Sequence, residues 1–99
     1  MIGFKKGVEY KIGGVVKILM IAEDVYRSLG EYCIVTSLME GKHMKESKHY
    51  IGDAVDLRTR TLNNAQKRIA KKLLEEGLGR DYDVILEATH FHVEYDPKG

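Results

Sequence analysis

The chain has few of the residues that fix a small fold covalently or rigidly. Its 99 residues include one cysteine, one proline and no tryptophan. The single cysteine, Cys33, excludes an internal disulfide framework. The proline, Pro97, lies near the end, so no proline interrupts an earlier helix or strand. No run approaches the ~20 apolar residues needed to cross a bilayer, so the sequence predicts no membrane span.

Charge of one sign is also lacking, since 16 basic and 15 acidic residues leave a formal net charge of +1. A chain this close to neutrality has no global field to attract nucleic acid or an anionic membrane. Its most basic segment, "QKRIAKKLLEEG", places Glu75 and Glu76 directly after the cations, as on a solvated helix face. We therefore expect no nucleic-acid partner, and binding that weakened steeply with salt would be needed to restore that alternative.

The first residues, "MIGFKKGVEYKIGG", lack the apolar run and cleavage site of a signal peptide. We expect synthesis in the cytoplasm without a leader, so that any action outside the cytoplasm would follow release by other means. The length predicts one domain over residues 1–99, with a modest core.

Apolar periodicity predicts two amphipathic helices, over residues 15–29 and 63–79, the second with Asn63 or Asn64 as N-cap. Its apolar stripe is expected to pass through Ala65, Ile69, Leu73 and Leu74. β-Branched composition and alternation predict strands at 32–37, 53–59, 82–88 and 90–96, with a loop at 38–46. Two helices packed on a small, mainly antiparallel sheet form an α+β fold.

The histidines are concentrated in two short segments, as His43, His49, His90 and His92. Alternation along strand 90–96 places His90, His92 and Glu94 on one face. In strand 53–59 it places Ala54, Asp56 and Arg58 on one face. Two imidazoles on a polar strand face raise the expectation of metal binding above that for a solvated strand.

Zinc in catalytic sites usually takes three protein ligands and leaves one position for water. His49, Asp56 and one of the pair His90/His92 would supply such a set, and Gly52 allows a turn between the first two. Glu87 is a candidate general base. On spacing alone, solvated or capping roles for these side chains are the competing interpretation.

Two motifs together resemble the zinc peptidases of the D-Ala-D-Ala peptidase, lysostaphin and hedgehog group. They are S-x-H-x-x-G-x-A-x-D at residues 47–56 and H-x-H at residues 90–92, separated by a helix as in that group. The similarity is above all to small D-Ala-D-Ala carboxypeptidase-like and phage endolysin members, and it spans about residues 32 to 96. The resemblance implies a hedgehog/DD-peptidase-like fold.

The resemblance also implies Zn²⁺ held by His49, Asp56 and His92. Glu87 would then be the general base, and His90 would assist the transition state or the base. The chain carries a second family pattern, E-x-x-H, through Glu87 and His90, which would instead make His90 the third ligand. We take the H-x-H assignment, with His92 as the ligand.

The implied function is zinc-dependent hydrolysis of peptide (amide) bonds in bacterial peptidoglycan, of the D-Ala-D-Ala carboxypeptidase or endolysin type. The expected partners are stem or cross-link peptides, and Ser47 is expected to bind the substrate. A lytic enzyme of a phage or prophage fits a chain without a leader. The alternative is a non-catalytic zinc-binding module of the same fold, since hedgehog-type relatives keep the zinc site in a signalling role.

Overall fold

The computed structural model describes residues 14–39 and 53–97. Its elements are α1 (Gly14–Ser28), β1 (Val35–Met39), β2 (Ala54–Arg58), α2 (Asn64–Leu78), β3 (Tyr82–Leu86) and β4 (His90–Tyr95). The four strands form one sheet in the order β1-β2-β4-β3, and every neighbouring pair is antiparallel. The predicted α+β class, with two helices and an antiparallel sheet, is confirmed.

Both helices pack on one face of the sheet, and the core lies between them and the two central strands, β2 and β4. Fully buried side chains from all four elements meet there, including Ile18, Tyr26, Leu57, Leu74, Phe91 and Val93. Within β2 and β4 the buried residues alternate with half-buried polar ones. The polar residues of these strands therefore lie on the face away from the helices.

Helix α2 begins with a capping box at Asn63. The Asn63 side chain accepts a hydrogen bond from the Gln66 N–H at 2.8 Å, and the Gln66 side chain accepts one from the Asn63 N–H at 2.9 Å. An N-cap of this kind is worth about 1 kcal/mol. The helix ends before Gly79, whose φ of 91° suits glycine because other residues rarely adopt it.

The buried stripe of α2 agrees with the predicted one at Leu74 but otherwise follows the neighbouring row of residues. Ala70, Leu74 and Leu78 are buried, whereas Ile69, which was predicted to face inward, is 49% exposed. Two adjacent rows with four-residue spacing run along this helix, and both contain apolar residues. Packing against the rest of the protein decides which row is buried.

Strand β1 differs from the predicted strand at 32–37, because it begins at Val35 and continues to Met39. All five of its residues are exposed, and it is an edge strand whose register with β2 shifts between Val35 and Ser37. A β-branched run resembles a central strand in composition, but only the pairing partners determine its position in the sheet. Residues 40–46 of the predicted loop lie outside the described residues.

The strand predicted at 82–88 ends at Leu86 because the chain turns there into β4. The Glu87 N–H donates to the His90 carbonyl at 2.8 Å, which closes the turn between β3 and β4. Neither described helix, each of 15 residues, is long and apolar enough to cross a membrane.

Candidate functional site

The predicted site residues of β2 and β4 lie opposite one another on the sheet. Asp56 pairs with His92 and Arg58 pairs with His90 in the antiparallel register. Directly opposite residues of paired strands share a face, so these four side chains belong to the face away from the helices. We call this surface, formed by Asp56, Arg58, His90, His92 and Glu94, the outer face.

The Asp56 carboxylate lies between the two imidazoles. His92 Nδ1 is 2.8 Å from Asp56 Oδ1, and His90 Nε2 is 3.8 Å from Asp56 Oδ2. An ionised carboxylate only accepts hydrogen bonds, so His92 donates through Nδ1–H. The three side chains are 26–33% exposed, which anchors them in the sheet and leaves them accessible to a ligand.

Glu94 is a residue of the outer face to which the sequence motifs assigned no role. Its Oε1 lies 3.8 Å from His92 Nε2, so His92 has a carboxylate near each ring nitrogen. Carboxylates commonly orient metal-binding histidines through the ring nitrogen that does not bind the metal. The position of Glu94 beside the histidines could have been predicted from the spacing His90-x-His92-x-Glu94, because alternation along a strand places all three on one face.

His90 has a second polar neighbour in the turn that precedes β4. The Thr89 hydroxyl is 3.1 Å from His90 Nδ1. The Thr89 carbonyl in turn accepts a hydrogen bond from the Thr59 N–H at 3.2 Å, which ties the turn to the end of β2. If the Thr89 hydroxyl donates to Nδ1, the imidazole proton resides on Nε2, the nitrogen nearer Asp56.

Glu87 lies at the His90 end of the outer face. Leu86 pairs with Phe91, and the Glu87 N–H donates to the His90 carbonyl, so Glu87 lies directly after β3 and beside His90 in the turn. The residue is exposed. The predicted base is thus adjacent to one of the two predicted histidines, His90.

Two of the three predicted metal ligands, Asp56 and His92, are brought into direct contact. The third, His49, lies outside the described residues, as do Gly52 and the predicted substrate-binding residue Ser47. Within residues 14–39 and 53–97, no group of three or more His, Cys, Asp or Glu side chains is arranged to hold a metal ion. The described residues therefore contain a pair of the predicted ligands and not a complete set.

The side chains of Asp56 and His92 are suited in chemistry to bind zinc together. Imidazole nitrogen and carboxylate oxygen are both common zinc donors, and two donors on a tetrahedral ion lie about 3.3 Å apart. The observed Nδ1–Oδ1 distance is 2.8 Å. The two side chains are therefore hydrogen-bonded to each other, and holding zinc would require loss of the Nδ1 proton and a small separation of the pair.

Cys33 lies in the segment before β1 and has a different environment. Burial, and secondarily the nearby Glu23 carboxylate, raises the pKa of its thiol to about 11. The thiol is therefore protonated near neutral pH, which is unsuited to a nucleophile or a metal ligand.

Comparisons with known proteins returned no matching family model, curated protein or solved structure. The chemistry of the outer face is therefore inferred from its own residues, together with the motif resemblance described above. A functional interpretation must explain why Asp56 contacts His92 and why His90 lies close to the same carboxylate.

Proposed function

We propose that this protein is a zinc-dependent peptidase that hydrolyses amide bonds in peptidoglycan peptides, on a hedgehog/DD-peptidase-like fold. The observation that carries the proposal is the contact between Asp56 and His92, which are 36 residues apart in the chain. One belongs to the first motif and the other to the second. An accidental match of either motif gives no reason for the two to pair directly in the sheet.

Asp56 and His92 would hold the ion together with His49. When bound, zinc supplies a Lewis acid that lowers the pKa of a water molecule and polarises the scissile carbonyl. Glu94, near the second ring nitrogen of His92, would keep that imidazole oriented.

Glu87 and His90 would perform the proton transfer and charge stabilisation. The Glu87 carboxylate accepts the proton of the attacking water and returns it to the leaving amine. In the tautomer in which Nδ1 accepts from the Thr89 hydroxyl, His90 donates from Nε2 to the oxygen that becomes negative in the transition state. Both lie at the same end of the outer face, as this division of roles requires.

The shape of the outer face supports a short, extended substrate. Within the described residues, the side chains of Asp56, His90 and His92 are about one-quarter to one-third exposed on the sheet surface. Stem and cross-link peptides of the cell wall are short and could lie across such a surface, with Ser47 as a further substrate-binding residue. Such an enzyme would meet its substrate after release to the wall.

The test combines metal content with digestion of purified peptidoglycan by the wild type, Glu87→Gln and a matched control, Glu76→Gln. Glu76 is an exposed carboxylate on α2. We expect about one zinc per chain in all three proteins, with peptide release lowered about 10²- to 10⁴-fold only in Glu87→Gln. Mass spectrometry of the released peptides identifies the bond that is cut.

The outcomes separate the two candidate functions. Zinc in the wild type without release of any peptide would favour the non-catalytic zinc-binding module. A wild type that takes up no zinc would contradict both. Equal activity in Glu87→Gln and the wild type would remove Glu87 from the mechanism.

A further inference from the structure

We infer that the two helices form the interface of a symmetric homodimer, in which the groove between α1 and α2 of one copy covers the same groove of a second copy. This interface is independent of the proposed function. The outer face lies on the other side of the sheet from the helices, so each copy keeps it accessible in the dimer.

A largely apolar groove of about 340 Å³ opens to solvent between the two helices. Its lining residues are Ile21, Asp24, Val25, Ser28, Leu73 and Gly77. Ile69 continues the row of Leu73 and Gly77 at four-residue spacing, and its side chain is 49% exposed. An exposed aliphatic side chain beside an apolar groove is typical of a surface that contacts another protein.

The two helices run antiparallel, which fixes where each residue lies along the groove. Ile21 packs so close to Gly77 that a Cβ atom added there would lie 2.8 Å from Ile21 Cγ2. Val25, one turn later in α1, lines the groove together with Leu73, one turn earlier in α2. Asp24, which also lines the groove, is therefore at the same level along the helix axes as Leu73.

The charges on the two sides of the groove are complementary under a two-fold rotation. An axis along the groove keeps each residue at its level and exchanges the helices, so that α1 of one copy lies over α2 of the other. Asp24 then faces Lys72 of the second copy, the neighbour of Leu73, and the reverse contact is identical. Both side chains are exposed, and neither forms an ion pair within residues 14–39 and 53–97.

The opposite arrangement of signs occurs at the other end of the groove. The Lys17 ammonium donates to the Leu78 carbonyl at 3.0 Å, which places this cation of α1 near the end of α2. Glu76 is exposed on α2 close to that level, so the rotation brings Lys17 towards Glu76 of the second copy. Each helix thus carries one cation and one anion beside the groove. A partner of uniform charge would be repelled at one end, whereas a second copy meets the opposite charge at both ends.

The size of the helical surface indicates a weak dimer. Each helix has 15 residues and is about 22 Å long, and two adjacent helices are about 20 Å wide. The area covered is therefore roughly 440 Å² on each copy, below the ~800 Å² per partner of a standard interface. We expect a dissociation constant of about 10–100 μM.

The test is sedimentation equilibrium of the wild type and of variants, from about 5 μM to about 1 mM. We expect the wild type to follow a monomer–dimer equilibrium. Ile69→Glu should raise the Kd more than about tenfold, because association would bury its charge in the apolar groove.

Charge reversal tests whether the occupant is a second copy in this arrangement. Asp24→Lys and Lys72→Asp should each raise the Kd about tenfold, since like charges then face each other at both symmetric contacts. An equimolar mixture of these two variants should recover the wild-type Kd, because every facing pair in the mixed dimer again has opposite charges.

The matched control is Arg60→Asp, which makes the same change in charge as Lys72→Asp in the turn after β2. It should dimerise like the wild type. All the substituted side chains are exposed, so thermal unfolding followed by circular dichroism should show a native fold in each variant.

Three outcomes would overturn the inference. A wild type that remains monomeric at about 1 mM would leave the groove to another occupant, such as a different protein or an apolar ligand. A dimer that is unaffected by Ile69→Glu and by both charge reversals would use another surface. A mixture that fails to recover the wild-type Kd would exclude the two-fold pairing of Asp24 with Lys72.

Discussion

The two faces of strands β2 and β4 differ in burial and in polarity, although successive residues of the same strands supply them alternately. The inner face includes Val55, Leu57, Phe91 and Val93, none of which is more than 1% exposed. The outer face carries two carboxylates, two imidazoles and a guanidinium that are all partly exposed. The buried residues of the inner face stabilise the strands. The residues between them need not be apolar, so they can be polar side chains that bind a ligand or take part in a reaction.

Substitutions at adjacent residues of β4, one on each face, should differ most in their effect on the free energy of unfolding. Phe91→Ala removes a fully buried ring from the core and should lower the free energy of unfolding by about 3–5 kcal/mol. Since a domain of this size has about 5–15 kcal/mol in total, much of the stability would be lost. Urea denaturation followed by circular dichroism measures the change.

The control for that experiment is the adjacent residue on the opposite face. His92→Ala removes one hydrogen bond to Asp56 and should cost only about 1–2 kcal/mol. A loss of stability as large as that in Phe91→Ala would mean that the outer face also holds the fold together, and the distinction between the faces would fail.

The two histidines of the outer face should differ in zinc affinity, because His92 contacts Asp56 at 2.8 Å whereas His90 lies at 3.8 Å. We expect His92→Ala to weaken zinc binding more than about 100-fold, since loss of a ligand exceeds the effect of losing a supporting residue. His90→Ala should weaken it less than about tenfold. Competition with a chromophoric chelator measures both, and the reverse order would assign the E-x-x-H pattern instead.

Thr59 is a polar exception on the inner face, where it follows Val55 and Leu57 by alternation. Its side chain is fully buried, and its hydroxyl has no hydrogen-bond partner among the described residues. Thr59→Val should therefore raise the free energy of unfolding by about 1 kcal/mol, because the desolvated hydroxyl is removed at similar volume. Thr36→Val, on exposed β1, should change it by less than about 0.5 kcal/mol. A Thr59→Val protein less stable than the wild type would indicate that the hydroxyl has a partner.

The smallest expected effect concerns the Cys33 thiol, which lies on neither face. Its reactivity can report on the stability of the whole fold. Its pKa is raised from 9.0 to about 11 in the folded protein, so the unfolded chain loses the proton first. This contribution to stability is present below pH 9 and is lost as the pH rises through about 11. The rate of iodoacetamide alkylation should show a midpoint near pH 11 in the native protein and near pH 9 in concentrated urea. At pH 8 we expect Phe91→Ala to react faster than the wild type and His92→Ala to react at the wild-type rate.

Features that depend on neighbouring residues could be predicted from the sequence. The alternation His90-Phe91-His92-Val93 separates polar from buried side chains, as the structure bears out. The cap at Asn63 follows from its own side chain and that of Gln66, three residues later. The class of fold follows from the number and type of such segments.

Features that depend on packing could not be predicted in the same way. Ile69 matched the periodicity of a buried stripe, yet α2 exposes it and buries Ala70, together with the predicted Leu74. Strand β1 had the composition of a central strand and lies exposed at the edge of the sheet. The local sequence of α2 is compatible with burial of either row, and that of β1 with a central or an edge position. Contacts with residues distant in the chain determine which arrangement forms.

The sequence by itself determined which side chains of each strand lie together, because alternation is a property of the extended backbone. Only the tertiary structure decided that β2 and β4 are neighbours and that Asp56 lies opposite His92. A shift of one residue in that register would leave each strand locally unchanged but would separate the carboxylate from the imidazole. The register is held by the burial of Leu57, Phe91 and Val93 beneath the two helices, so packing on the inner face positions the chemistry of the outer face.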